Sequence, residues 1–223
     1  RRVARRDVIL DAARRVFARR SVFAASITEI AQEADYSKAA IYFYFRNKEE
    51  IFLSLVLHGQ DTYHDLLARR LAGREDRPAL ENLRLVWDCL LELAVRQPDF
   101  FTLAAALPAA DFRPAAPPEV VEAVDRRGRD IFALIRRVIE WGIVRGEIPP
   151  DLAPGPAAPA IYAAFIGGIL HSQTQQKFAD RAVRPDPLLE ALFQLVAHGL
   201  VAGRQMMGHQ PPIAGDRAQT VPG

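Results

Sequence analysis

The segment Ser26–Lys48, SITEIAQEADYSKAAIYFYFRNK, constrains this chain more than any other stretch. It reads as two short helices separated by a tight turn, with a third helix following at once. The first is predicted from about Ile27 to Ala34. Ser26 stands at its N-cap and Glu29 three residues on, the spacing at which a capping box satisfies unpaired backbone N–H groups. Ile27, Ile30, Ala31 and Ala34 follow the i, i+3, i+4, i+7 pattern of a buried stripe. Asp35-Tyr36 is a turn, because Asp tolerates the left-handed backbone such turns need. Ser37 caps the second helix, in which Ile41 and Phe45 lie one above the other and face inward. Lys38, Ala39, Ala40, Tyr42 and Tyr44 are left on or near the outside.

A helix that enters a DNA major groove needs small residues where it approaches base edges and donors where it meets phosphates. Ala39 and Ala40 permit the approach. Lys38 reaches a base edge or a phosphate, and the hydroxyls of Tyr42 and Tyr44, with Lys48 beyond, are spaced to hold the DNA backbone. The same spacing also fits two packed helices with solvated tyrosines, since Tyr often bridges core and surface.

A wider pattern bears on that choice. Ile9-Leu10-x-Ala12-Ala13-x-x-x-Phe17, then Ser26-Ile27-x-x-Ile30-Ala31, then Ser37-Lys38-x-x-Ile41-Tyr42-x-Tyr44-Phe45-x-x-Lys48-Glu49 resembles the TetR family of bacterial transcriptional regulators. The resemblance covers roughly the first quarter of the chain. It implies that Ser37, Lys38, Ala39, Ala40, Tyr42, Tyr44 and Lys48 occupy the family's DNA-facing positions, with Ser26 and Thr28 at the start of the preceding helix. The chain departs from the family pattern at four places. Ser21, Asp35 and Ala39 stand where Gly is usual, and Ala25 where Thr is usual. At Ser21 and Asp35 a positive φ costs on the order of 1 kcal/mol each. Ala25 lacks a hydroxyl for a phosphate, and Ala39 adds a methyl at the closest approach. These changes bear on the operator sequence more than on the fold.

Charge is distributed unevenly. Residues 1–50 hold 11 Lys/Arg and 7 Asp/Glu, an excess of +4 in a chain of net +2, so the remainder carries −2. A basic first domain on a slightly acidic body fits a module that meets a polyanion. Arg1, Arg2, Arg5 and Arg6 read as an arm near phosphates. Arg14/Arg15 and Arg19/Arg20 fit DNA contacts or a solvated helix face equally. The lone cysteine, Cys89, excludes an internal disulfide framework and fits a reducing cytoplasm. No apolar run approaches the ~20 residues that span a bilayer. The first 20 residues do not read as a signal peptide, and the missing Met predicts numbering that begins inside a longer product.

Nearly every segment has helical periodicity and strand signals are almost absent, so an all-α fold of about nine helices is expected. A helix-turn-helix domain is expected at 1–50 (the motif at about 27–46), a helical effector-binding and dimerisation domain at 51–207, and a disordered tail at 208–223. Helices are predicted over about Val3–Arg20, with Val8, Ile9, Ala12, Ala13, Val16 and Phe17 inward, then Lys48–Leu71, Pro78–Arg96, Pro98–Leu107, Glu119–Arg145, Ala160–Phe178 and Pro187–Met207. Residues 108–118 read as loop, and Pro149 to Pro159 as a punctuated linker.

Ala164, Gly167, Gly168 and His171 form a small-residue surface late in the chain, and Leu188, Leu192, Leu195, Val196 and Gly199 an apolar stripe beyond it. Two such helices from each of two chains would close a four-helix interface; ordinary core packing is the alternative. The family resemblance favours a homodimer that places two recognition helices about one DNA turn apart on a roughly palindromic operator. Trp87, Phe100, Phe101, Phe132, Trp141, Tyr162 and Phe165 crowd the middle of the chain. They read as core, and by the resemblance as the lining of a pocket for a small hydrophobic effector.

Other chemistry is not indicated. Cys89 sits in an apolar helix, as a structural thiol does. His58, Asp61 and Asp65 share a helical face with His64 beside it, and a solvated junction is expected there rather than a metal site. His171 and His198 fall in the expected interface and are expected there as hydrogen-bonded core histidines. No nucleophile elbow, phosphate loop or dinucleotide fingerprint occurs, so no catalytic residue, metal or cofactor is assigned. The expectation is a cytoplasmic, homodimeric DNA-binding regulator, a repressor released by a hydrophobic ligand. An all-α enzyme or carrier for a hydrophobic metabolite, or a pure protein-interaction module, is the alternative. A salt-dependent shift of promoter DNA separates them.

Overall fold

The computed structural model describes residues 2–107, 112–176 and 187–206. They form ten helices: α1 Arg2–Ala24, α2 Ile27–Glu33, α3 Lys38–Tyr44, α4 Lys48–Leu71, α5 Ala79–Arg96, α6 Phe100–Ala106, α7 Phe112–Ala115, α8 Pro118–Val144, α9 Pro154–Gln176 and α10 Pro187–Met206. No strand occurs among the described residues, and no helix among them is long and apolar enough to cross a membrane. The expected tail at 208–223 lies outside the described residues.

Buried side chains fall into two clusters. Ile9, Ala12, Ala13, Val16 and Phe17 of α1 join Ile30 of α2, Ile41 of α3 and Ile51, Phe52 and Val56 of α4. Residues from beyond the expected boundary close this head: Leu103, Phe112, Ala116 and Val124. The second cluster, in the body, takes the far half of α4 from Tyr63 to Leu71, and α5, α8, α9 and α10 pack around it. Helix α4 therefore runs through both cores. So does the much shorter α6, with Phe100 and Phe101 in the body and Leu103 in the head.

Several boundaries differ from the sequence reading. Helix α1 continues past Arg20, but Ser21 breaks its backbone at φ 63, ψ 156. Val8 is exposed rather than inward. The expected loop contains α7, whose Phe112 ring lies 4.4 Å from that of Phe52 and 5.6 Å from that of Phe23. Pro78 is the N-cap of α5, one place before the expected N1. Helix α9 begins at Pro154, not near Ala160, and contains Pro156 and Pro159. Pro154 and Pro156 fall in the first turn, which needs no backbone donors, so they cost little there; Pro159 lies inside the helix, where the bond to the carbonyl four residues back is forfeited. Gly146 ends α8 with φ +68, and the N–H of Glu147 bonds back to Gly142 O at 2.8 Å, the closing bond of a Schellman cap.

Candidate nucleic-acid interface

The two-helix unit is fixed by its caps. Ser26 Oγ accepts the Glu29 N–H at 3.2 Å, and Glu29 Oε2 accepts the Ser26 N–H at 2.9 Å. The capping box is complete, and it holds the Glu29 carboxyl below the usual range, chiefly through the Ser26 hydroxyl. At the other end Asp35 takes φ 56. The Asp35 N–H bonds to Gln32 O at 3.2 Å and the Tyr36 N–H to Ala31 O at 2.9 Å. That pair is again a Schellman closure, built on Asp where Gly is easier. It redirects the chain so that Ser37 can cap α3, accepting the Ala40 N–H at 3.1 Å.

Helix α3 is seven residues long, anchored by fully buried Ile41 and by Phe45 at its C-cap. Lys38 and Ala39 are exposed, Tyr42 is 52% exposed and Phe43 65% exposed. Positions 38, 39, 42 and 43 form one outward face. Ala40 and Tyr44 are half-buried, and Tyr44 packs on the head core. Phe43 was missed in the sequence, because the run Ile41-Tyr-Phe-Tyr-Phe45 offers five apolar or aromatic positions and only two anchor the helix. Helical spacing places Phe43 opposite the Ile41–Phe45 anchor. Its ring stands edge-on to Tyr44, with centroids 5.1 Å apart.

The remaining expected contacts are distributed differently. Ser26 and Thr28 are exposed at the start of α2, with the Ser26 hydroxyl engaged in its own cap. Lys48 is half-buried, and its Nζ donates to Phe23 O at 3.2 Å and Ala25 O at 3.0 Å. It closes the end of α1, where a cation suits the helix dipole, so two of its three N–H groups are committed inside the head.

The arginines before residue 21 are mostly structural. Arg6 is not a free arm: it lies 4.7 Å over the Phe45 ring, donates to Ser54 Oγ at 3.1 Å and stands 3.9 Å from Glu50. Arg15 and Arg19 both hold Glu33, at 2.6 and 2.5 Å, and Arg20 holds Glu29 at 3.2 Å. These pairs tie α1 to α2. They hold the Glu33 carboxyl below the usual range, Arg15 first and then Arg19.

In the body, Trp87, Phe101 and Phe165 meet ring to ring, with Trp87–Phe165 centroids at 4.9 Å and Phe101–Phe165 at 5.4 Å. Phe100 is buried beside Phe101, Phe132 stands edge-on to Tyr162, and Trp141 packs on the margin. Burial pushes the Cys89 thiol up to about 11. Asp61 is paired with Arg127 at 2.6 Å, and among the described residues no group of three or more candidate ligands could hold a metal ion.

On the late helices, a Cβ built on Gly168 would lie 2.6 Å from Leu192 Cδ1, so that glycine serves the α9–α10 contact within the chain. Ala164, Leu188, Leu192 and Val196 are half-buried, while Gly167, Gly199 and Leu195, at 71%, are exposed. His171 and His198 are exposed too in the single chain. They lie on the outward faces of α9 and α10, whose inward faces carry Phe165, Ile169, Leu189 and Phe193.

Comparison with known proteins gives one pattern. Residues 9–55 match the family described as bacterial regulatory proteins, tetR family. The HTH-type transcriptional repressor BepR of Brucella suis biovar 1 (strain 1330) is 30% identical over 170 residues, covering 74% of this chain and 78% of that protein. A bacterial regulatory protein in the tetR family from Rhodococcus RHA1 superposes with a TM-score of 0.71 at 19% identity, over 88% of this chain and 96% of that one. The transcriptional regulator FadR of Bacillus subtilis, solved with stearoyl-CoA, superposes with a TM-score of 0.65 at 22% identity, over 88% and 97%.

Proposed function

The chain belongs to the tetR family of bacterial regulatory proteins, and from that premise we propose that it is a repressor that reads its operator with α3 and leaves it when a small hydrophobic ligand enters the body. The observation that carries the reading is the outward face of α3. Lys38, Ala39, Tyr42 and Phe43 project together from a helix whose caps and anchors are complete without them. A groove-facing helix needs that division: buried residues set its angle, and exposed ones meet the DNA. Ala39 lets the backbone approach, Lys38 supplies charge, Tyr42 a hydroxyl, and Phe43 an apolar edge suited to a thymine methyl. Ser26, Thr28, Ser37, Ala40, Tyr44 and Lys48 flank this face and position it; the hydroxyls of Thr28, Ser37 and Tyr44 and the one Lys48 N–H not held by Phe23 O and Ala25 O are the groups left for backbone phosphates, while Ser26 serves its cap and Ala40 supplies only close approach.

A single seven-residue helix covers only half an operator. The exposed apolar positions of α9 and α10, Gly167, Leu195 and Gly199, support a homodimer closed by four helices. The ligand reading is supported by the aromatic body core and by the FadR structure, which was solved in complex with stearoyl-CoA. Its routes to the head are α4, α6 and α8, which hold side chains in both clusters; α6 is the shortest of them. The family consists of transcriptional regulators, and we assign no catalytic residue; the place of action is the cytoplasm, where DNA lies.

The test is a gel shift on duplexes selected from a random pool. Saturable binding that weakens steeply with salt, at two half-sites about one turn apart, is expected. Binding indifferent to sequence would overturn the reading.

A further inference from the structure

We propose that Arg46 is a further phosphate-binding residue of this interface, and that Glu119 of α8 competes with the operator for its guanidinium. This rests on the DNA-reading proposal above and adds to it a contact that the body controls.

The basic charge of the head is mostly engaged inside it. Arg15 and Arg19 hold Glu33, and Arg20 holds Glu29. Arg14 reaches Asp11 as well as Asp99, and Arg6 lies on Ser54 and Glu50. Lys48 gives two N–H groups to carbonyls at the end of α1. Among the described residues up to Lys48, that leaves Arg5, Lys38 and Arg46 as the cations whose side chains make no pair within the head. Lys38 opens α3. Arg46 stands at the other end, between Tyr44, which closes α3, and Lys48, which opens α4. Phosphate contacts around a groove helix fix its register and orientation, and Arg46 is placed to supply one where Lys48 is largely committed elsewhere.

What holds Arg46 in the free protein is a body residue. Its Nη2 lies 2.9 Å from Oε1 of Glu119, the second residue of α8. The two side chains are 67% and 62% exposed. An ion pair that open to water adds little to stability, so it is easily exchanged. A phosphate is the better partner, because two of its oxygens match the fork of a guanidinium. The backbone need not move: the Arg46 N–H bonds to Glu50 Oε2 at 2.7 Å whichever way the side chain swings. Glu119 keeps a favourable place when Arg46 leaves, since it lies in the first turn of α8, where the helix dipole suits an anion.

The position of Glu119 is built in. The Phe112 ring of α7 packs 4.4 Å from that of Phe52, and Asn47 Nδ2 donates to Ala115 O at 2.6 Å. Val124 of α8 is buried in the head core. These contacts seat α7 and the start of α8 on the corner between α3 and α4, and so bring a carboxylate to the edge of the recognition unit. A carboxylate there both occupies Arg46 and repels an incoming phosphate. Arg46 therefore binds DNA below its full strength, and Glu119 sets the deficit.

The experiment measures the affinity of the full chain for a pool-enriched duplex and a scrambled one across salt. The proteins are the unaltered chain, Arg46→Ala, Glu119→Gln, the two combined, and Glu122→Gln. Glu122 pairs with Arg126 one turn further along α8, so its variant makes the same change in net charge at a different partner. Arg46→Ala is expected to weaken both duplexes by the same factor, about tenfold, and to lower the salt slope by roughly one per head. Glu119→Gln is expected to tighten both by about two- to fivefold per head. With Arg46 already replaced, Glu119→Gln should change affinity by less than about twofold, and Glu122→Gln alone should do no more. An Arg46→Ala protein that binds both duplexes as the unaltered chain does would overturn the phosphate contact. A gain from Glu119→Gln that survives the loss of Arg46, or that Glu122→Gln matches, would overturn the competition. Thermal melts are read in parallel: variants that lower Tm with affinity unchanged would reduce the pair to a tie between head and body. A pool that yields no consensus removes the DNA reading, and this proposal with it. A consensus without the Arg46 loss removes this proposal alone.

Discussion

Arg14 Nη1 of α1 lies 3.2 Å from Asp99 Oδ2 at the N-cap of α6. It joins the head to the one short helix that reaches into both cores. Beside the pair a cavity of about 300 Å³ opens between Leu10, Leu55, His58, Gln97, Phe100 and Leu103. A wall of α6 pushed aside by ligand therefore pulls on α1 through this pair and on the head core through Leu103. The pair is partly exposed, so it contributes little to stability, up to about 1 kcal/mol. Its effect falls on coupling. Arg14→Ala and Asp99→Ala should each leave ligand-free operator affinity within about threefold and reduce ligand-driven release up to about fivefold, with the double variant no worse than either single one. Fluorescence anisotropy of labelled operator, with and without a hydrophobic ligand that releases it, checks this. Additive losses in the double variant would mean the two residues act separately.

Ser21 stores strain. Its φ of 63 and ψ of 156 belong to a region that only Gly occupies easily. Ser21→Gly should raise stability by about 1 kcal/mol, after the entropy that Gly adds to the unfolded chain is subtracted. Asp35→Gly should gain less, because Asp at φ 56 tolerates the left-handed well. Urea unfolding midpoints measure both. A destabilised Ser21→Gly protein would show that the serine side chain contributes more than its backbone costs.

Local sequence carried the head well, and the reasons are specific. Ser26, Glu29, Asp35 and Ser37 act within three or four residues of themselves, so their spacing alone foretold the caps and the turn. Features set by contacts distant in the chain were less legible, in the head as well as in the body. Phe43 and Tyr44 are chemically alike, and only the anchor set by Ile41 and Phe45 makes one exposed and the other half-buried. Arg6 reads as a loose basic arm until Phe45 and Glu50, some forty residues on, are seen beneath it. Gly168 belongs to the small-residue surface by composition, yet it faces Leu192 of its own chain. Helix α7 escaped because four residues around a proline carry no periodicity. Contacts distant in sequence decide each of these.

Acid should weaken the ties between α1 and α2. Glu33 is held below the ordinary Glu range by Arg15 and Arg19, and Glu29 by its cap. A carboxyl depressed on folding contributes stability above its unfolded pKa and loses it as pH falls through the folded value. The loss therefore begins as pH drops below the ordinary Glu range and continues under it. Thermal melts from pH 7 downward should show it, and Glu33→Gln should be less stable at pH 7 and flatter below pH 5. Equal slopes for the two proteins would contradict the role of the Arg15–Glu33–Arg19 pairs.

Cys89 is fully buried and its thiol is pushed up to about 11 by burial. A thiol disulfide reagent at pH 8 should modify the native protein only as fast as the α4–α5 core opens. Rapid modification at the rate of a free thiol would show that this core is open in solution.

The most direct test takes a duplex enriched from a random pool by the unaltered chain and a scrambled control. Affinity for each is measured across salt for the unaltered, Lys38→Ala and Phe43→Ala proteins. The expected pool is two-fold symmetric. Phe43→Ala should narrow the enriched-to-scrambled ratio by about tenfold at an unchanged salt slope. Lys38→Ala should narrow that ratio and also lower the slope by roughly one per recognition helix. A pool without a consensus, or both variants binding the two duplexes as the unaltered chain does, would contradict DNA reading by α3.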